Sequence, residues 1–126
     1  MQNPRNLLVW NRALALATET YRLTARFPQV ERFGLTSQMR RSAVSIGSNI
    51  AEGCGRRGDR EYLAFLHIAL GSLSELEFQL AVAANMECME PKQLAQLTHQ
   101  IDELRRMLTR LIVAVRARIP RKRDPG

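Results

Sequence analysis

The sequence predicts an all-α protein, an antiparallel up-down bundle of four helices in a single domain, residues 1–126. Four segments carry apolar residues at helical spacing, and short connections join them. Only 7 Gly and 5 Pro occur, which suits helices better than a turn-rich β protein. A hydrophobic content of 45% is sufficient for one folded core in a chain of this length.

The first helix is expected to begin at residues 4–7 and to end at about Arg26. Its apolar stripe consists of Leu7, Trp10, Leu14, Ala17 and Tyr21, widened by Ala13, Leu16 and Leu23. Pro28 ends the helix, because the residue before a proline disfavours the α conformation. In the turn that follows, Phe27 and Phe33 are expected to pack against the core.

The second helix is expected to have Thr36 as its N-cap and to end at about Gly53. Its buried face is formed by Met39, Ala43, Ile46, Ile50 and Cys54. A neighbouring stripe, here named the polar seam, is formed by Gln38, Ser42, Ser45, Asn49 and Glu52, and Arg56 continues it. Ser and Asn are weak helix formers, so their presence indicates packing or close approach. The favoured interpretation is a hydrogen-bond network between helices or subunits; a functional surface is the alternative.

The third helix is expected to begin after an N-cap at Asp59 and to run to about Asn85. Its buried face is formed by Tyr62, Phe65, Ala69, Leu73, Leu76 and Leu80. Ile68, Leu70 and Val82 widen the apolar surface beyond one seam. A helix that is apolar on more than one side often has a second partner, so we expect a homo-oligomer.

The fourth helix is expected to begin at Glu90-Pro91, with proline at the first helical position, and to end before Pro120. A heptad seam is formed by Leu94, Leu97, Ile101, Leu104, Leu108, Leu111 and Val115. A basic tail follows from about residue 120 and contains Arg121, Lys122 and Arg123.

The charge of the chain favours an acidic partner. The formal net charge is +7 at pH 7, which points to nucleic acid ahead of a membrane surface, with solubility charge as the alternative. The candidate nucleic-acid-binding residues are Arg40, Arg41, Arg56, Arg57, Arg60, Arg121, Lys122 and Arg123. No zinc finger, RNP sequence or persuasive helix-turn-helix is present, so binding is expected to follow the phosphate backbone with little sequence specificity.

The pattern of metal-binding residue types argues against a cofactor. Neither His67 nor His99 has a Glu three residues before it, so the Glu-x-x-His motifs of di-iron bundles are missing. Cys54 and Cys88 are far apart and form no zinc or disulfide pattern. We therefore expect no metal and no cofactor, and we interpret His67 as a packing residue.

Glu52 is the best single candidate for acid–base chemistry, but it is more readily interpreted as an ion-pair partner of Arg56 or Arg41. The glycine-rich turn after the second helix lacks the Lys-Ser/Thr ending of a P-loop. Ser45 and Ser48 have no histidine nearby in sequence that could act as a base, and the two histidines lie on other predicted helices. The chain is therefore expected not to be an enzyme.

Several motifs resemble one bacterial protein family. They are Phe27-Pro28, Glu31 to Gln38, Arg40-Arg41, Ser45-Ile46, Asn49-Ile50-Ala51-Glu52-Gly53 and Gly71-Ser72-Leu73 with Glu75-Leu76-Glu77. Together they are similar to the four-helix-bundle proteins encoded in intervening sequences of bacterial large-subunit ribosomal RNA genes. The accessory protein of diversity-generating retroelements looks like a relative. The resemblance covers nearly the whole chain and implies an up-down bundle that assembles into a ring, a pentamer.

We therefore expect a non-catalytic, ring-forming accessory or scaffold protein that binds RNA or DNA through repeated arginine patches. The alternative is a structural or protein–protein interaction module without a nucleic-acid role. The expected partners are further copies of the chain and nucleic acid, with a nucleic-acid enzyme as a further candidate. No charged and apolar leader opens the sequence and no apolar run approaches the length of a membrane span, so a cytoplasmic location is expected.

Overall fold

The computed structural model describes residues 3–4 and 7–121. This part of the chain forms four α-helices and no strand: α1 (Leu8–Thr24), α2 (Leu35–Cys54), α3 (Asp59–Asn85) and α4 (Pro91–Ala117). A short 3-10 helix, Gln29–Glu31, lies between α1 and α2. The helices contact one another in the cyclic order α1, α2, α3, α4 and back to α1. The predicted all-α, four-helix class is confirmed. None of the helices in these residues is long and apolar enough to cross a membrane.

The core receives large side chains from every helix. The largest fully buried ones are Leu16, Met39, Ile46, Ile50, Leu66, Leu73, Leu76, Leu97, Ile101, Leu104, Leu108 and Val115. Each contributes roughly 1.5–3 kcal/mol relative to an exposed position. The buried face predicted for α2 is confirmed at all five positions. In α4 the seam passes from Leu108 to Ile112, which is buried, while Leu111 is half-buried, because a helix of 3.6 residues per turn drifts from a strict heptad.

The stripe predicted for α1 is wrong in part. Leu14 is 52% exposed and Tyr21 is 45% exposed. The buried side of α1 carries Thr20 and Thr24 among its apolar residues. Each threonine hydroxyl donates to the carbonyl four residues earlier, at 2.8 Å to Leu16 O and 2.6 Å to Thr20 O. A threonine whose hydroxyl bonds to its own helix in this way can occupy the core, although the polarity of its side chain alone predicts an exposed position.

The start of α2 also differs from the prediction, because Thr36 is not its N-cap. The helix begins at Leu35, Gly34 occupies the N-cap position, and Thr36 is buried within the first turn. The carboxylate of Glu31 accepts a hydrogen bond from the Leu35 N–H at 3.2 Å. A residue from the preceding 3-10 helix therefore satisfies one of the free N–H groups at this terminus. The sequence analysis predicted this role for the Thr36 hydroxyl.

The two phenylalanines before α2 have opposite environments. Phe27 is buried, as predicted, with 7% of its surface exposed. Phe33 is 89% exposed, so its predicted packing against the core is wrong. The intervening 3-10 turn directs both Val30, which is 86% exposed, and Phe33 outward. The guanidinium of Arg32 lies 5.5 Å from the centre of the Phe33 ring.

Candidate nucleic-acid interface

The middle of the polar seam is packed between α2 and α3. The hydroxyls of Ser45 and Ser72 are 2.9 Å apart. The Asn49 side-chain amide donates to the Ser45 carbonyl at 2.8 Å and to the Ser45 hydroxyl at 3.0 Å. Ser42 is buried, whereas Gln38 is exposed. The short side chains thus form a hydrogen-bonded contact within the subunit, and Gln38, at the start of the seam, faces solvent.

Gly53 sets the distance between the end of α2 and the start of α3. A Cβ atom built on Gly53 would lie 2.9 Å from both Phe65 Cβ and Tyr62 Cδ1. Real Cβ atoms do not approach other atoms this closely, so only glycine fits here without a shift. Tyr62 is buried beside Cys54, whose thiol lies 3.8 Å from the phenol oxygen. Burial, together with this contact, raises the pKa of Tyr62 well above its usual value.

In the turn that follows α2, two contacts fix the side chain of Arg56. Its guanidinium donates to the Glu52 carboxylate at 2.6 Å and lies 4.9 Å from the centre of the Phe65 ring. An exposed i, i+4 ion pair contributes only about 0.3–0.5 kcal/mol, and an exposed cation–π contact about 0.5–1 kcal/mol. These contacts orient the arginine more than they stabilise the fold. They leave most of its N–H donors unused.

The start of α3 contacts the end of α4 through charged side chains. Asp59 is the first residue of α3, with Gly58 at the N-cap position, so its predicted role as the N-cap is wrong. The Asp59 carboxylate instead lies 3.7 Å from the guanidinium of Arg118. Arg60 donates to the carbonyl of Pro120 at 3.4 Å. These two contacts bring residues close together that are about 60 positions apart in the sequence.

His67 is not a packing residue, in contrast to the prediction. Its side chain is exposed, and Arg116 donates a hydrogen bond to His67 Nε2 at 3.2 Å. A guanidinium can only donate, so the imidazole nitrogen is the acceptor in this contact. The contact adds a third link between α3 and the end of α4.

An open depression of about 700 Å³ lies between the α2–α3 turn and the end of α4. Its walls are residues 55–61 on one side and Arg118, Ile119 and Pro120 on the other. A second depression beside it is lined by Arg60, Arg116 and Arg121, among others. We name this region the arginine end and define it by Arg56, Arg57, Arg60, Arg116, Arg118 and Arg121.

The comparisons with known proteins agree with this fold. A family model described as the 23S rRNA-intervening sequence protein matches residues 5–110. The chain belongs to that family. A crystal structure from Bacteroides thetaiotaomicron, of a protein with unknown function from the S23 ribosomal protein family, matches with a TM-score of 0.79 and 24% identity. The match covers 84% of this chain and 96% of that one, and it supports the fold alone. The comparison with curated proteins gives no match. The family resemblance predicted from the motifs is confirmed.

In this member of the intervening-sequence protein family, the structure brings together part of the predicted arginine set. Arg56, Arg57, Arg60 and Arg121 lie at the arginine end. Lys122 and Arg123 lie outside the described residues. The sequence analysis did not select two further members, Arg116 and Arg118. Their proximity in sequence to the basic tail was the available signal, and only the contacts with α3 decide their position. Both lie beyond residue 110, where the match to the family model ends.

Arg40 and Arg41 lie elsewhere. The α2 helix is 20 residues long, so about 30 Å separates its two ends, and both arginines lie near its start. Arg40 donates to the Thr24 hydroxyl at 2.9 Å and to the Tyr21 carbonyl at 3.2 Å. Its guanidinium also lies 4.6 Å from the centre of the Tyr21 ring. Arg40 therefore ties α2 to the last turn of α1, where the Tyr21 carbonyl also accepts from the Ala25 N–H at 3.2 Å. Arg41 is exposed.

The described residues contain no cluster of three or more His, Cys, Asp or Glu side chains that could hold a metal ion. Cys54 and Cys88 are free thiols, the first buried and the second half-buried. Burial, with a further contribution from the charge of Glu31, raises the pKa of the Cys88 thiol.

Proposed function

We propose that this chain is a non-catalytic accessory or scaffold protein that binds the backbone of RNA or DNA in the cytoplasm. The observation that carries the proposal is the convergence of the six arginines of the arginine end from two distant parts of the sequence. Arginine presents a planar set of donors that matches phosphate oxygens in a bidentate arrangement. The net charge of +7 supports attraction to a polyanion over the whole molecule.

Binding of this kind depends mainly on phosphates and little on base sequence. Each phosphate contact on duplex DNA releases counterions, so the affinity falls with salt by a logarithmic slope of about 0.9 per contact. A subunit with a small basic surface binds weakly. Several copies in one assembly act together and raise the overall affinity.

We further propose an antiparallel up-down bundle that assembles into a ring, with the pentamer suggested by the family resemblance. The contacts of Arg40 with the end of α1 and of Arg118 with the start of α3 support the antiparallel arrangement. The outer side of α3 supports assembly, because Ile68 is 50% exposed and Phe78 is 70% exposed there. A shallow groove of about 480 Å³ runs beside Phe78. A second copy that covered this surface would remove apolar area from water.

The test is a salt titration of binding to unrelated RNA and DNA duplexes and single strands. The wild type is compared with the double variant Arg56→Ala/Arg57→Ala, with a chain that ends at Pro120, and with the control Arg26→Ala. Arg26 is exposed and its side chain has no partner among the described residues. We expect a steep salt dependence that is similar for all sequences. The first two variants should lose affinity and have a shallower slope, while the control loses less.

The second candidate function is a protein–protein interaction module, which the exposed Phe78, Val30 and Phe33 favour. A nucleic-acid enzyme is one partner of this kind. Purification without nuclease distinguishes the two functions. Nucleic acid that co-purifies with the protein and is released by salt supports the nucleic-acid-binding function. If the double variant and the shortened chain keep wild-type affinity and salt slope while assembled, the arginines are solubility charges and the second function is favoured.

A further inference from the structure

We propose that the depression at the arginine end is a site for a terminal phosphate monoester, the 5′- or 3′-phosphorylated end of a nucleic-acid strand. The proposal rests on the proposed function and makes it more specific. Internal phosphodiesters would bind the arginine end as a whole, and a phosphorylated end would bind this depression more tightly.

The size of the depression suits a chain end. A volume of about 700 Å³ falls in the range of roughly 300–1,000 Å³ that is typical of small-molecule sites. Its two walls are the turn around Arg57 and the segment around Ile119. A terminal nucleotide can enter a space between two walls, whereas an internal phosphodiester must bring a nucleotide on each side with it.

The charge of the lining also favours a monoester. Four arginines line the depression, Arg56, Arg57, Arg60 and Arg118, together with the carboxylates Asp59 and Glu61. Four positive and two negative groups leave a formal charge of +2. A phosphate monoester carries about −1.5 to −2 at pH 7, and an internal phosphodiester carries only one negative charge. The monoester therefore complements the lining more completely.

Three of the four arginines are already held by the protein. Glu52 and the Phe65 ring hold Arg56, and Asp59 and the Pro120 carbonyl contact Arg118 and Arg60 respectively. Donors that are held before binding lose less conformational freedom when the ligand arrives. Arg57, by contrast, makes no side-chain hydrogen bond or ion pair with any residue that the structure describes. It is free to close on the ligand.

The glycines on either side of the arginine pair, Gly55 and Gly58, line the depression. Gly55 and Gly58 have φ angles of −82° and −140°, which other residues adopt without strain. A Cβ atom on Gly58 would meet nothing within 4 Å. The fold itself therefore accepts a side chain at Gly58. Because Gly58 lines the depression, a side chain there would occupy space that the ligand needs without changing any charge.

The first experiment compares one short RNA sequence with a 5′-phosphate, with a 3′-phosphate and with hydroxyl groups at both ends. We expect one phosphorylated form to bind about tenfold more tightly than the hydroxyl form, the effect of roughly one charge-assisted hydrogen bond. A nucleoside monophosphate or inorganic phosphate should displace the phosphorylated RNA first. Equal binding of all three RNAs, or no displacement by either competitor, would overturn the site and leave the proposed function standing. If neither this RNA nor DNA of the same sequence binds at any salt concentration, the proposed function fails first.

The second experiment uses the variants Gly58→Val and Arg57→Ala, with Arg26→Ala as the matched control for loss of one positive charge. We expect both site variants to reduce the tenfold preference for the phosphorylated end to nearly none, while the control keeps it. Gly58→Val should retain binding to RNA with hydroxyl ends, because it removes no charge. Circular dichroism verifies that each variant is folded. A preference that survives in both site variants would contradict the proposal.

Discussion

The turn that joins α2 to α3 differs in chemistry from the connections at the opposite ends of these two helices. At the arginine end, Arg56, Arg60 and Arg118 are each held by a carboxylate, a ring or a carbonyl. At the other ends of these helices, large apolar side chains face water: Val30, Phe33 and Met86 are 86%, 89% and 62% exposed. We name these three residues the apolar end. They lie in the α1–α2 connection and the α3–α4 turn.

The difference between the two ends comes from the connections together with the terminal turns of the helices, because Arg60 belongs to α3 and Arg116 to α4. The helices present similar cores along their length, because each repeats its apolar residues at helical spacing. Six arginines converge at one end, whereas exposed apolar side chains lie beside charged residues such as Glu31 and Arg32 at the other. Separate variants can therefore test each end while the shared core stays intact.

The largest expected effect contrasts the two phenylalanines near the apolar end. Phe27→Ala should destabilise the protein by about 3–5 kcal/mol, because it removes a buried ring. Phe33→Ala should change the free energy of unfolding by less than about 0.5 kcal/mol, because its ring is exposed. Urea denaturation measures both. A large loss of stability in Phe33→Ala would mean that this ring is covered in solution, for example by another subunit.

The next prediction tests the close packing of Gly53 in α2 against α3, next to the arginine end. Gly53→Ala should destabilise by about 1–3 kcal/mol, because its Cβ would lie 2.9 Å from Phe65 Cβ and Tyr62 Cδ1. The control is Gly47→Ala in the same helix, where the nearest atom outside the helix backbone is Ala13 Cβ at 3.6 Å. That variant should stabilise by up to about 1 kcal/mol, because alanine favours a helix interior. Thermal unfolding that ranks the two in the reverse order would contradict the packing described.

A smaller effect concerns the backbone of the α3–α4 turn. Glu87 has φ of 57°, in the left-handed region that favours glycine. Its N–H donates to Ala84 O, and the Cys88 N–H donates to Ala83 O, so Glu87 closes the C-terminus of α3. Glu87→Gly should stabilise by about 0.5–1 kcal/mol, and Glu87→Val, a β-branched residue, should destabilise. Equal melting temperatures for the two variants would be inconsistent with a strained residue here.

The smallest effect concerns the ion pair at the arginine end. Glu52→Ala should cost only about 0.3–0.5 kcal/mol, because the side chains of Glu52 and Arg56 are 55% and 42% exposed. The comparison of melting temperatures at low and high salt measures this cost, which should shrink as salt screens the pair. A loss of several kcal/mol, or dissociation of the assembly, would place Glu52 in a buried interface.

Periodicity and motifs in the sequence were enough to predict the four helices, the buried face of α2, most of the α4 seam and the family. Such features depend on spacing and on residue types within one helix, so a short window contains them. Helical starts were less predictable. One N–H group at the start of α2, that of Leu35, donates to Glu31 from the neighbouring 3-10 helix, and the Thr36 hydroxyl does not cap the helix.

The side of α1 that faces the core and the set of arginines that converge both depend on tertiary packing. Thr20 and Thr24 are buried because their hydroxyls bond to their own helix, which polarity does not indicate. Arg60 and Arg118 line the same depression because the packing of α3 against α4 brings distant segments together. Contacts between residues that are far apart in sequence depend on the lengths of connections and the fit of whole helices, and no local pattern contains that information.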